Sequence, residues 1–444
     1  MMGRQVEAVE RDYPLVFRPA KYPSHAIFYD GELRQQAGGP SGYLWNLRNA
    51  IAHRGQSDLV SFVTRDQEPS GSVLSETNSN KRAFKLMAER LVHSVPHAKA
   101  IQRSFIGGKF YREWRRILWI VENPALARFD SNIADKIDFD AITTIHAHET
   151  IQAILLHNEL VARGRRSRVQ LMLTSHCPEL PGAERAAAYR SAGLVGSLSD
   201  RVEKAHIRAD EYAFAIADVV IFPSPESMDP YLSASTSISA TLKAKEVRFV
   251  LTGVRSKEAA NMPVPPALKE CGDKFIICFI GRHNSIKGYD LLKDAAKTLL
   301  ERYPDIAIVV AGVPGPVEPL SHPRWIECGW MSNPEQLIAA SDVFVLPNRS
   351  TFFDLVLLEV MSIGTPIIAS RTGGNVTVAA MSKGVRLFDG LNGFVCEIEK
   401  MKSLSGMERA SLAEANRRTY RGNFSVEHFA SNYLEAVGAI SATV

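Results

Sequence analysis

The sequence is poor in the features that mark several protein classes. It has five cysteines in 444 residues (Cys177, Cys271, Cys278, Cys328 and Cys396), dispersed and with no CxxC pair. That argues against a disulfide framework or a cysteine-based structural zinc, and it fits a reducing, cytosolic setting. Long apolar runs are missing too. The longest, such as Ile306 to Val313, fall far short of the ~20 residues that a membrane-spanning helix needs. The first residues include acidic ones and no apolar h-region, so no signal peptide is expected. Net charge is only +4, which excludes a dedicated nucleic-acid binder, since such proteins are more basic. What is present is ordinary for a globular protein, with 45% hydrophobic and 23% charged residues. At about 150 residues per domain, two or three domains are expected.

The charge is unevenly spread. Through residue 222 there are 29 Lys and Arg against 25 Asp and Glu, and the remainder has 23 of each. The excess gathers between Lys81 and Arg116, where ten basic residues face only Glu89 and Glu113.

Short apolar runs alternate with helical patterns. In the first half the runs are Ala26 to Tyr29, Leu59 to Val63, Ala141 to His146, Val169 to Thr174 and Val219 to Phe222. In the second they are Phe275 to Ile280, Ala307 to Ala311, Val343 to Leu346, Pro366 to Ala369 and Val385 to Phe388. Runs this apolar suit strands buried on both faces of a parallel sheet. Val202 to Ala217 and Asp290 to Tyr303 read as helices between them. Alternation of this kind twice over predicts an α/β protein of two Rossmann-like domains facing across a cleft. The expected boundaries are 1–232 for the first domain, 233–272 for a linker region holding a short strand (Val247 to Leu251), and 273–423 for the second domain. Residues 424–444 are expected to form a helix that crosses back to the first. Ligands of open parallel sheets bind beyond the carboxyl ends of the strands, so polar residues there are the candidates.

The strongest candidate segment follows Phe275 to Ile280 and reads Gly281-Arg282-His283-Asn284-Ser285-Ile286-Lys287-Gly288. Gly281 permits a tight turn. Arg282 and Lys287, ahead of a helix N-terminus, form a ready diphosphate site; a solvated basic loop is the plain alternative. The second segment is Pro347-Asn348-Arg349-Ser350-Thr351-Phe352-Phe353-Asp354-Leu355-Val356-Leu357-Leu358-Glu359, leading into Val360-Met361-Ser362-Ile363-Gly364-Thr365-Pro366. Glu359 lies among apolar neighbours on a helix and must find donors, which ribose hydroxyls would supply, or else its own helix.

Together these segments resemble the GT-B glycosyltransferases of family 4, also called glycosyl transferases group 1, specifically across Phe275 to Glu397 and more loosely before. The resemblance implies a retaining hexosyl- or related glycosyltransferase that uses a nucleotide-sugar donor (a UDP- or GDP-sugar) and requires no metal or other cofactor. It implies that Arg282 and Lys287 hold the donor diphosphate, with catalytic effect, and that Glu359 holds the ribose. The backbone around Leu355 and Val356 would meet the phosphates. The pattern departs from the family at two places. Thr351 stands where the first glutamate of Glu-x7-Glu is usual, and Asp354 where a glycine is usual. Asp354 is open to two readings, a donor-site carboxylate or a helix cap.

In the first half, Gly38-Gly39-Pro40-Ser41-Gly42 follows the first strand and precedes a helix from Tyr43 to Ile51. Gly39, Ser41 and Gly42 are placed by the resemblance near the donor phosphate. His146-Ala147-His148-Glu149 follows another strand. The two histidines are expected to face opposite ways, which buries His146 and offers His148 to the cleft; the resemblance implies that His148 is catalytic and touches the donor sugar. His176 and Glu179, in Thr174-Ser175-His176-Cys177-Pro178-Glu179, are acceptor-side candidates. A satisfied structural histidine is the alternative for each. Asp138-Phe139-Asp140 resembles a metal-binding DxD but precedes its strand, at the wrong sheet end, and Gly107-Gly108-Lys109 lacks Walker spacing.

The function expected is sugar transfer from a nucleotide sugar to a glycan or lipid-linked acceptor in surface polysaccharide biosynthesis. A phosphorylase-like enzyme with lysine-linked pyridoxal, and a catalytically weakened sugar-nucleotide-binding or scaffold partner, are the rivals. Across residues 81–119, Arg103, Lys109, Arg112, Arg115 and Arg116 are interleaved with Phe105, Phe110, Tyr111, Trp114 and Trp119. That suits either an anionic membrane surface met peripherally from the cytoplasm, or a helix with a solvated basic face.

Overall fold

The computed structural model describes residues 25–35, 39–65, 116–129, 135–191, 196–257, 266–269 and 271–440. Most of the basic stretch therefore lies outside the described residues. Two six-stranded sheets organise the chain, and every strand pair in both is parallel.

The first sheet has the order β2-β1-β3-β4-β5-β6. Its strands are β1 (His25–Tyr29), β2 (Val60–Thr64), β3 (Thr144–Ala147), β4 (Gln170–Leu173), β5 (Val219–Phe222) and β6 (Glu246–Phe249). Helices α1 (Gly39–His53), α2 (Thr150–Ala162), α3 (Pro181–Ser191) and α4 (Ser197–Ile216) follow strands within it. One face buries Ile154 and Leu156 of α2 with Phe214 of α4. The other buries Leu44 and Leu47 of α1. With both faces covered, the strands can be apolar throughout, and β5 is buried at all four positions. The strand expected inside the linker region is β6. It pairs with β5 as the sixth strand, so the first sheet extends into the segment read as a linker.

The second sheet has the order β12-β11-β10-β7-β8-β9. Its strands are β7 (Phe275–Ile280), β8 (Ile306–Ala311), β9 (Trp325–Gly329), β10 (Val343–Leu346), β11 (Ile367–Ser370) and β12 (Val385–Phe388). Alternation along β7 sends Phe275, Ile277 and Phe279 to one core and Ile276 and Cys278 to the other. Helix α5 (Tyr289–Arg302) buries Tyr289, Leu292, Ala296 and Leu299 on one stripe, the spacing of an amphipathic helix. Helix α6 (Leu355–Ile363) has no comparable polar face, because it is packed between the sheet and the helix Gly406–Asn423.

The last helix, α7 (Val426–Ala436), packs against α1 of the first domain, with the Phe429 ring 4.8 Å from that of Tyr43. Its Tyr433 hydroxyl lies 2.9 Å from His25 Nε2 and 2.8 Å from His146 Nδ1, beneath the first sheet. No described helix is long and apolar enough to cross a membrane.

Candidate active site

In both sheets the strand order reverses next to the domain's first strand: between β1 and β3 in the first, between β7 and β10 in the second. Such switch points open a crevice at the carboxyl ends of the strands. The two crevices face one another and share a cleft of about 940 Å³. Gly39 and Tyr43 after β1, Glu149 after β3, and Ser175 to Glu179 after β4 line one wall. Gly281, Arg282 and Lys287 after β7, and Arg349 to Val356 after β10, line the other. The walls touch: Ser350 Oγ donates to Pro178 O at 3.0 Å, and Ser227 Oγ donates to Phe352 O at 2.8 Å.

The second-domain wall is set by its turns. Lys287 N–H donates to Asn284 Oδ1 at 2.9 Å, which closes the loop after β7. Gly288 then takes φ +68°, and a Cβ there would stand 1.7 Å from Pro347 O, so only glycine lets the loops after β7 and β10 lie together. Lys287 Nζ donates to Asp354 Oδ2 at 2.6 Å. Asn348 Nδ2 donates to the same oxygen at 2.8 Å, and Val356 N–H donates to Asp354 Oδ1 at 3.4 Å. Asp354 thus caps α6 and grips Lys287 at once. Burial opposes its ionisation, but the Lys287 ammonium and these hydrogen bonds outweigh that and hold the carboxyl below its ordinary range. Arg349 is paired with Asp290 at 2.5 Å. Thr351, Leu355 and Val356 line the cleft. Glu359, one turn into α6, is not among the lining residues. It lies 3.8 Å from Lys257 Nζ, and burial pushes its carboxyl up.

The first-domain wall differs from expectation at three residues. Ser41 is turned away from the cleft: its hydroxyl donates to Glu32 O at 2.6 Å and accepts from Arg34 N–H at 3.0 Å. Gly42 is buried in α1, and only Gly39 of the glycine loop's candidates reaches the cleft. His148 is fully buried. Residues two apart on a strand share a face, so His146 and His148 point the same way, their rings 4.0 Å apart. It is His176 that lines the cleft. His176 Nε2 lies 2.8 Å from His148 Nδ1, and its ring packs edge-on against Tyr43 at 4.6 Å. Among the described residues His176 is the one non-glycine with positive φ, at +59°, a conformation that surrounding contacts must enforce. Burial lowers its pKa to about 3, so the imidazole is neutral. Glu179 lines the same wall, its carboxyl pushed up by burial and by Glu184.

Sequence reading missed Glu149, Glu184 and Arg185 on this wall. Glu149 directly follows His148, so its position after a strand was a usable signal. Glu184 and Arg185 lie on α3, where no strand end marks them. Arg185 sits 3.7 Å from Glu149. The Asp138 carboxylate accepts the N–H groups of Asp140 and Ala141, so the DxD-like triplet is spent on a turn.

Residues 274–404 match the family model described as glycosyl transferases group 1. Over that span the second domain is similar to the group 1 glycosyl transferases. A D-inositol 3-phosphate glycosyltransferase from Corynebacterium urealyticum is 36% identical over 132 residues, 26% of this chain and 31% of the relative. One from Salinispora arenicola is 28% identical over 290 residues, 59% of this chain and 63% of the relative. The chain therefore spans less than two thirds of either relative's length. A solved structure described as trehalose-6-phosphate from E. coli bound with UDP-2-fluoro glucose superposes with a TM-score of 0.58 at 14% identity, covering 94% of this chain and 99% of that one. At that identity the likeness concerns the fold, which is GT-B. Arg282, Lys287 and the α6 N-terminus all fall within the matched glycosyl transferase domain.

Proposed function

We propose that the protein is a retaining glycosyltransferase that moves a hexosyl or related group from a nucleotide sugar to an acceptor hydroxyl. The observation that carries this reading is the gathering of Arg282, Lys287 and the N-terminus of α6 on one wall of the interdomain cleft. Cations and backbone N–H groups there stabilise the charge that grows on a departing diphosphate. We read the transfer as attack by the acceptor hydroxyl on the face the diphosphate leaves, with no protein nucleophile assigned. In that step the C1–O bond to the phosphate breaks, a C1–O bond to the acceptor forms, and the hydroxyl proton passes to the leaving phosphate oxygen. His176 is the imidazole available to the transferred sugar, and His148 is a positioning residue behind it.

The opposite wall supports a neutral glycan hydroxyl as acceptor, free or lipid-linked. Among the described residues that line it, Glu149, Glu179 and Glu184 stand against Arg185. A phosphorylated acceptor, of the kind for which the relatives are named, would meet an excess of carboxylates. A cytoplasmic enzyme of surface polysaccharide synthesis fits this chemistry, with residues 81–119 as its contact to an anionic membrane.

The test is release of nucleoside diphosphate from a panel of UDP- and GDP-sugars with glycan acceptors. Lys287→Ala is expected to lower turnover by roughly 100-fold or more, the scale of losing a charge-stabilising donor, and to lower the melting temperature too, because it strands the enclosed Asp354 carboxylate. Arg282→Ala, at a side chain that enters no ion pair among the described residues, is expected to lower turnover with little change in melting temperature. Turnover equal to that of the parent would dismiss the assignment. Tight nucleotide-sugar binding without transfer would instead favour a binding partner, which the departure at Thr351 makes the rival.

A further inference from the structure

The donor wall carries three cations, yet two are already neutralised. Arg349 is engaged by Asp290, and Lys287 by Asp354 at 2.6 Å. Arg282 enters no ion pair among the described residues. Asp354 does more than pair with a lysine. One carboxylate oxygen takes Lys287 Nζ and Asn348 Nδ2, and the other takes the Val356 N–H at the start of α6. A phosphate oxygen entering this end of the cleft would seek the same ammonium and the same amide.

We propose that Asp354 is an internal competitor for the donor's phosphate. Its carboxylate occupies the place of an anionic oxygen, and a nucleoside diphosphate binds fully only by drawing Lys287 away from it. Asp354 thereby sets donor affinity. The alternative, that Asp354 merely aims Lys287 at the phosphate, is disfavoured by charge: at 2.6 Å the carboxylate cancels the cation it would be aiming. Asp354 is also nearly enclosed, with 9% of its side chain exposed, so water screens the pair poorly. The proposal rests on the donor-site reading above.

Asp354→Asn tests it. Asparagine keeps the size and the capping oxygen, so α6 should retain its start. Binding of UDP and GDP, and of uridine and guanosine, would be measured by calorimetry on the parent and the variant. The variant is expected to bind its preferred diphosphate at least about tenfold more tightly, the one-unit effect that a neighbouring charge commonly exerts. The matching nucleoside, lacking phosphates, should bind unchanged. Equal or weaker diphosphate binding by Asp354→Asn, with nucleotide still bound, overturns the competitor while leaving the donor site standing. Absence of nucleotide binding in both proteins overturns the donor site and the competitor with it.

Discussion

At the residue scale, the buried histidines show how local rules decide a site. His25, His146 and His148 are enclosed, and His176 forms the visible end of the group. Burial lowers the pKa of His25 and His176 to about 3 and drives those of His146 and His148 well below the ordinary value. Each is therefore neutral when folded and titrates near 6.5 when unfolded. A group with a depressed folded pKa contributes stability above its unfolded pKa and loses it as pH falls towards the folded value. The window is thus pH 6.5 down to about 3. One histidine of this kind costs about 2 kcal/mol of stability at pH 5. Asp210, pushed up to about 6 by burial, acts in the opposite sense, as do Glu149, Glu179 and Glu359, whose carboxyls burial also pushes up, but the four histidines still set the sign. The urea midpoint is expected to fall steeply between pH 7 and pH 5, and a level profile would contradict the neutral cluster. The histidine segment was legible in the sequence, but the choice between His148 and His176 was not. That choice depends on which ring lies behind the other, a fact of packing between β3 and β4.

At the element scale, apolar runs located most strands. Val219–Phe222, Phe275–Ile280 and Val343–Leu346 match their runs residue for residue, because each is buried on both faces. The run Ala141 to His146 starts too early, since the N–H groups of Ala141 and Ile142 bond to Asp138 O and the strand begins at Thr144. Edge strand β9 escaped notice because only Trp325 of its five residues is buried, so it lacks an apolar signature. Beside the apolar packing of Phe429 and Leu434, one directed chain of hydrogen bonds docks α7. Thr174 Oγ1 donates to Ile221 O, so it accepts from His146 Nε2. His146 Nδ1 must then accept from the Tyr433 hydroxyl, which accepts from His25 Nε2. His25 Nδ1 in turn accepts from Thr144 Oγ1 at 2.6 Å. Every proton is assigned, and Tyr433 is the link that α7 provides. Tyr433→Phe would strand one buried donor and one buried acceptor, at about 1–3 kcal/mol each. A loss of about 2–6 kcal/mol in urea unfolding is expected; a loss below about 0.5 kcal/mol, the usual scale of an inconsequential substitution, would show that the chain does not anchor the helix.

At the scale of the whole molecule, the near-neutral total charge conceals a division of labour. The two walls of the cleft differ in sign, and the second half of the chain is balanced while the first carries the excess. That excess sits in residues 81–119, of which the structure describes only 116–119. There Trp119 is 47% exposed; among the described residues Trp330, in the second domain, is exposed further, at 58%. An exposed tryptophan at the end of a basic, aromatic stretch is the pairing that an anionic membrane interface selects. Each basic residue near such a surface contributes about 1 kcal/mol, and the attraction fades within a Debye length. That length is about 10 Å at 0.1 M salt and about 3 Å at 1 M. The full chain is therefore expected to float with vesicles containing phosphatidylserine at low salt, and to be released at high salt. Vesicles of phosphatidylcholine alone should not retain it. Replacing five of the basic residues between Lys81 and Arg115 by glutamine should abolish flotation and leave nucleotide binding intact, because the donor wall lies in the other domain. A protein that stays unbound at low salt would leave this stretch as a solvated basic face, and the acceptor would then be sought among soluble glycans rather than lipid-linked ones.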